Sequence, residues 1–271
     1  MNQKLFSEIS PLTYSISERK NIITRNLCDF FGPETFAKTK LSVPLPHIIY
    51  QHSSLIRRTL GNTDMRLQEN KAHNLSIAAP KVNGIMIRPG ETFSFWKLVG
   101  STTAKKGYKE GLTISNGKAK AGIGGGMCQF TNLIHWMVLH TPLEIVEHHH
   151  HDRFDLFPDF NRQIPFGTGT SIAYNYIDYR FKNTTKNGFQ LIVYLTDTHL
   201  CGELRSDGMP DFKYHIIAED ERFVREGDTV FREGKVYRNC IDKKSGKLLS
   251  HELIRSNHAQ VMYDTKDLVI E

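Results

Sequence analysis

The chain predicts an α+β fold, a mostly antiparallel sheet with a central helix that carries a Gly-Gly-Gly-x-Cys-Gln motif at its N-terminus. Three observations predict it. Leu133, Ile134, Trp136, Met137 and Leu139 recur with helical spacing and stop before Pro142. Residues 171–182 and 189–195 alternate apolar and polar side chains, the period of a strand with one buried face. Beyond about residue 210, strand-like segments alternate with turn signals, and few helices against such a sheet define the α+β class.

Taken in order, residues 1–60 read as an N-terminal helical layer, with helical pieces at 18–31 and 36–45 before a Pro44-Leu-Pro46 break. The core, 61–205, opens with a helix at 68–79 ended by Pro80. Two short strands follow, 84–90 and 91–96, joined by a Pro-Gly turn. After the central helix comes a strand at 143–146. The segments 171–182 and 189–195 then read as one antiparallel hairpin about Asn183-Thr-Thr-Lys-Asn-Gly188. A β-rich extension, 206–271, carries strands near 214–218, 223–231, 235–242 and 248–263, with turns at Glu226-Gly-Asp, Glu233-Gly-Lys and Lys244-Ser-Gly-Lys247.

Composition narrows the function classes. With 271 residues, 39% hydrophobic and 24% charged, the chain has the make-up of an ordinary soluble globular protein. No run of eighteen apolar residues occurs, so no membrane span is expected. Residues 1–21 mix Lys4, Glu8, Glu18, Arg19 and Lys20 with isolated apolar side chains, unlike a secretory signal, and point to a cytoplasmic location. Cys28, Cys128, Cys201 and Cys240 lie far apart without a CxxC pair, against a disulfide scaffold or a structural zinc site. A formal charge of +6 permits an acidic partner, but no Walker loop, zinc finger, helix-turn-helix or RNP-like signature marks a nucleic-acid binder. No cofactor motif is present.

Chemistry concentrates at Gly124-Gly-Gly-Met-Cys128-Gln129. Three glycines permit positive φ and close approach by a ligand or another stretch of chain. A cysteine in the first turn of a helix meets unpaired amide hydrogens and the positive dipole end, which lowers a thiol's pKa. The alternative is a small buried hydrophobe after a tight turn. Lys118 and Lys120, with Lys105, Lys106 and Lys109, form the densest basic region nearby and suit a phosphate or carboxylate, or simply a solvated face. Trp96 and Trp136, within apolar runs, read as core aromatics.

The second signal is Glu147-His148-His149-His150-His151-Asp152-Arg153. An imidazole can take a thiol's proton and return it to a leaving group, and Asp152, Asp155 or Asp159 can orient it. At most two adjacent histidines of a strand can converge on one ion, and no HExxH spacing occurs, so no metal site is expected.

Arg88-Pro-Gly-Glu-Thr-Phe-Ser-Phe-Trp96, Gly107-Tyr108, Gly111-Leu-Thr-Ile-Ser-Asn-Gly117, Gly124-Gly-Gly-Met-Cys-Gln129 and Ile177-Asp-Tyr-Arg-Phe-Lys-Asn183 together closely resemble the VanW family. The likeness is strong over 61–205, and the overall length resembles the family's short form. It implies a role around peptidoglycan or its precursors in glycopeptide resistance. It also matches a family Cys-Gln pair to Cys128 and Gln129, and a family histidine to His151, four residues after Glu147. The family's Gly-x-Asp-Ala element corresponds to Gly167-Thr-Gly169-Thr170, so its aspartate is absent here; if that carboxylate orients the histidine, it is lost in this chain or replaced by Asp152, Asp155 or Asp178.

Two functions follow. One is a cysteine-dependent hydrolase or acyltransferase on an amide of a cell-wall precursor or peptide-like small molecule. Cys128 is its nucleophile and His151 its base, Gln129 or the amides of Gly124, Gly125 and Gly126 stabilise the oxyanion, and Arg153 or Lys120 holds a substrate carboxylate. The other is a non-catalytic accessory protein that binds such a precursor or a resistance-pathway protein.

Overall fold

The computed structural model describes residues 5–57, 64–115, 118–150, 153–158 and 164–271. Helix α1 (Pro11–Phe31) starts where Ser10 accepts the Thr13 amide and Pro11 occupies the first helical position. After β1 (Thr35–Phe36) and β2 (His47–Leu55), α2 (Met65–Val82) is capped by Asp64, which accepts the Arg66 amide. Pro80 does not end α2. It sits exposed in the last turn, where the Asn83 amide still reaches the Ala79 carbonyl.

Strands β3 (Ile85–Ile87) and β4 (Glu91–Ser94) flank the expected turn, with Gly90 at φ 82°. They enter different sheets. Short helix α3 (Phe95–Val99), hairpin β5 (Glu110–Ser115) and β6 (Lys118–Ile123), and helix α4 (Met127–Leu139) follow. Then come β7 (Glu144–Glu147), β8 (Phe154–Asp155), β9 (Arg180–Lys182), β10 (Phe189–Leu195) and β11 (His199–Ser206), and last the long strands β12 (Phe212–Glu226), β13 (Thr229–Asp242) and β14 (Leu248–Val261).

The strands form sheets in the orders β2-β11-β10-β3, β1-β4-β9-β7, β12-β13-β14-β8 and β5-β6, mostly antiparallel, which is the expected α+β class. Leu75, Phe130, Leu133, Ile134, Met137, Leu191 and Leu204, all nearly without solvent contact, join α2 and α4 to the first sheet. Gly202 of β11 allows this, since a Cβ there would meet the Met137 and Leu133 side chains. Phe93 and Phe181 stack at 4.6 Å within the second sheet, and Phe95 meets Phe130 edge-on at 5.3 Å. Trp96 and Trp136 are both buried.

Four further expectations are corrected. Residues 36–45 form no helix; Phe36 pairs with Thr92 and Lys40 bridges Ile85. His47–Leu55, within the expected helical layer, is a strand paired with β11. Segments 171–182 and 189–195 do not pair as a hairpin: β9 joins β4 and β7, whereas β10 joins β11 and β3. Asn183 redirects the chain between the sheets, its side-chain amide donating to the Ile87 and Asn187 carbonyls. Finally, Glu233-Gly-Lys is no turn. Gly234 lies inside β13 opposite a register shift between Glu219 and Arg222, with Glu221 packed where its Cβ would stand.

Candidate functional site

Helix α4 begins at Met127, with Gly126 as its N-cap at φ 108°, so Cys128 lies in the first turn as expected. The three glycines are explained by the protein's own packing. A Cβ on Gly124 would strike Thr102, on Gly125 the backbone of Gly111, and on Gly126 the Lys71 stem. Asn74 holds the loop through its amide to the Gly125 carbonyl at 2.9 Å. The close approach that the glycines permit is therefore made by other parts of this chain.

Residues Cys128, Thr131, Asn132 and His135 stand at i, i+3, i+4 and i+7, one face of α4. Against this face runs the strip Gly167–Ile172. Asn132 Oδ1 accepts from the Thr170 amide (2.6 Å) and hydroxyl (2.8 Å), and Thr131 and Thr170 share a very short hydroxyl contact. The Thr170 hydroxyl also reaches the Cys128 carbonyl at 3.4 Å. At the far end of the face His135 Nδ1 meets the Tyr179 hydroxyl at 3.1 Å, and its ring stacks on His148 at 4.2 Å.

The histidine run closes the third side. His148 Nε2 donates to the Gly169 carbonyl at 2.8 Å, and the Ser171 amide donates to the His149 carbonyl at 2.7 Å. His150 lies over Gly169: a Cβ there would fall 3.0 Å from its Cε1 and 3.1 Å from its Nδ1. His149 Nε2 is 3.1 Å from Glu147, whose carboxylate also takes a bidentate pair from Arg25. His151 and Asp152 lie outside the described residues, as does Asp159.

Electrostatics here differ from the expectation of a lowered thiol pKa. Burial pushes the Cys128 thiol up, and the Ile172 and Cys128 amides only partly offset it. The residue keeps some solvent contact, but the packing about the sulfur outweighs the helix start. His135 is held neutral, first by burial and then by the neighbouring His148 and His150.

The other expected site residues are placed as follows. Gln129 turns away from the strip and donates its amide to Ser54 Oγ and the Leu55 carbonyl, both at 2.9 Å, tying α4 to β2. Lys120 is exposed on the β5–β6 hairpin opposite Thr113. Arg153 is exposed beside β8, its carbonyl accepting the Gln260 amide of β14. Asp155 is buried and accepts from the Tyr263 hydroxyl at 2.9 Å, within the C-terminal sheet. Asp178 is fully buried and accepts from Ser94 Oγ, the Trp96 amide and Arg180 Nε, a structural junction. Thr131, Asn132, Thr170 and Ile172 were missed; the i+3 and i+4 spacing of Thr131 and Asn132 after Cys128 was the available signal.

The fold and site define a class: an α+β domain that presents one cysteine on a glycine-capped helix start beside a strip that also holds a histidine run. Residues 70–205 match the family described as VanW like protein. The chain is 32% identical to the vancomycin B-type resistance protein VanW of Enterococcus faecalis over 273 residues, covering 99% of this chain and 98% of that protein. It is also 32% identical over 115 residues to the uncharacterized protein YoaR of Bacillus subtilis, covering 42% of this chain and 36% of that one. The chain belongs to the VanW family. No solved structure matches it.

Proposed function

We propose that this protein is a thiol-dependent acyl-transfer enzyme that acts on an amide of a cell-wall peptide or peptidoglycan precursor in glycopeptide resistance. The observation that carries the reading is the strip 167–172, which sets Thr170 on Asn132 and the Cys128 carbonyl and gives the Gly169 carbonyl to His148. One short segment thus brings the thiol and the histidine run into one neighbourhood. The name of the Enterococcus relative supports the resistance setting and, through it, the substrate class.

In this reading an imidazole of the run, proposed as His151, takes the Cys128 proton, and the thiolate attacks the amide carbonyl. The imidazolium protonates the departing nitrogen as the C–N bond breaks and a thioester remains. Water or an acceptor amine then attacks the thioester, yielding an acid or a new amide and restoring the thiol. Amides of the first turn of α4, from Gly126 to Gln129, stabilise the oxyanion, while Gln129 positions that turn against β2. Lys120 and Arg153 are outlying contacts for the carboxylates of an extended peptide. Because burial raises the thiol's pKa, the thiolate forms only with a base to take its proton.

The raised thiol, and a glycine loop already filled by Thr102, Gly111 and Lys71, favour a second reading: an accessory protein that binds a precursor or a pathway partner without chemistry. Incubation with peptidoglycan stem peptides followed by mass spectrometry separates the two. Acyl transfer predicts an adduct on Cys128 and product that Cys128→Ala abolishes. Equal product from Cys128→Ala would exclude the nucleophile, and peptide binding with neither adduct nor product would establish the accessory role.

A further inference from the structure

Helix α1 is amphipathic in an inverted sense. Its polar side faces the body of the protein: Arg25 pairs with Glu147, Asn26 with Asn175, and Asp29 with Arg180 and Lys97. None of its apolar residues is buried. At 100° per residue, Leu12, Ile16, Ile23, Leu27 and Phe30 fall within an arc of about 60° on the opposite side, and they are 48% to 79% exposed. Exposed Leu5, Phe6 and Ile9 extend the apolar surface before the helix, and Phe31 packs edge-on against Phe30 at its end.

Charge decides what covers this stripe. The exposed cations Arg19 and Lys20 border it, one on each edge, whereas Glu18 and Asp29 lie on the body side. Two copies paired along the stripe, parallel or antiparallel, would set Arg19 and Lys20 near the same cations at the helix midpoint, with no acidic side chain on that arc to neutralise them. A surface that is apolar beneath and anionic above meets both features. We infer that α1 is a docking helix for the surface of an anionic lipid bilayer, its Leu12–Phe30 stripe entering the acyl boundary and Arg19 and Lys20 meeting headgroup phosphates. No described helix is long and apolar enough to cross a membrane, and this placement asks for none.

Co-sedimentation of the full chain with vesicles of phosphatidylglycerol and phosphatidylcholine, against pure phosphatidylcholine, tests it. Binding is expected to the anionic vesicles, to weaken several-fold between 0.1 and 0.5 M salt as screening shortens to about 3 Å near 1 M, and to be slight on the neutral ones. Ile23→Ser with Leu27→Ser should lower the partition coefficient by at least about tenfold. Arg19→Glu with Lys20→Glu should remove the preference for anionic lipid. Failure of the unmodified chain to bind overturns the inference without any variant being made. So does equal binding by the Ile23→Ser, Leu27→Ser variant, or a concentration-dependent dimer that this variant abolishes.

Discussion

Helices α1 and α4 are held by opposite physics. Ten of the thirteen residues of α4 are buried, whereas α1, half again as long, buries no apolar residue. Dispersion and apolar burial fix α4 between α2 and the β2-β11-β10-β3 sheet, all round its circumference. Ion pairs and an amide contact fix α1, along one side only. Asp29 and Arg180, with side chains 5% and 7% exposed, form a bidentate pair that Asp178 backs from below. The first kind of support keeps the first turn of α4, with its candidate cysteine, from moving. A helix that meets an outside surface can use the second and leave its apolar side free.

The largest effect should come from α4. Phe130→Ala removes a ring with no solvent contact that packs on Phe95, and a loss of about 3–5 kcal/mol is expected on truncating such a side chain. Urea denaturation of the whole chain would read it. A loss under 1 kcal/mol would show that α4 is not core-supported and would break the comparison. Asp29→Asn should cost less globally, about 1–3 kcal/mol for charged hydrogen bonds left incomplete, because Arg180 keeps Asp178. Its signature is local: hydrogen exchange should accelerate in 11–31 while 127–139 stays protected. Equal loosening of both segments would place α1 within the cooperative core.

Acid should separate the two helices. His140, which ends α4 stacked on Tyr50 at 3.8 Å, is pulled down to about 4 by burial, although the Trp136 carbonyl opposes the shift. Its folded value lies below its unfolded one near 6.5. Its contribution is therefore full above about pH 6.5 and lost as pH falls toward 4. Burial raises the Asp29 carboxyl, but Arg180 and Lys97 together leave it below the usual range. What it contributes is present above about pH 3.9 and is lost only as pH falls through its folded value. On lowering the pH, near-ultraviolet circular dichroism of the Trp136 environment should change before α1 becomes susceptible to protease. The reverse order would contradict the assignment of ionic support to α1.

The two helices also differ in how legible they are. α4 follows from apolar spacing, Pro142 and the glycines before it, because its partners need only be greasy. The body-facing residues of α1, Arg25 and Asp29, find Glu147 and Arg180 more than 120 positions away, so spacing shows the helix at 18–31 but not its dock. The same limit applies at the site. Cys128 stands out by its glycines, yet Thr170, 42 positions on, contributes a backbone amide and a hydroxyl that any residue pattern could hide. The misread hairpin at 171–195 has the same origin, since alternation shows two strands but only the Asn183 contacts with Ile87 and Glu91 show that they part into separate sheets.

The smallest effect sharpens the contrast most. Leu27 is the sort of residue whose truncation in a core costs about 2–5 kcal/mol, and on α1 it is half exposed. If the apolar stripe contributes nothing to the free chain, Leu27→Ala should change stability by no more than about 0.5 kcal/mol, and Ala's better helix propensity can even raise it slightly. The Leu133→Ala variant of α4, measured in the same denaturant series, supplies the scale. A large loss at Leu27 would mean that the stripe packs on this chain in solution, and the outward face of α1 would then belong to the fold rather than to a surface outside it.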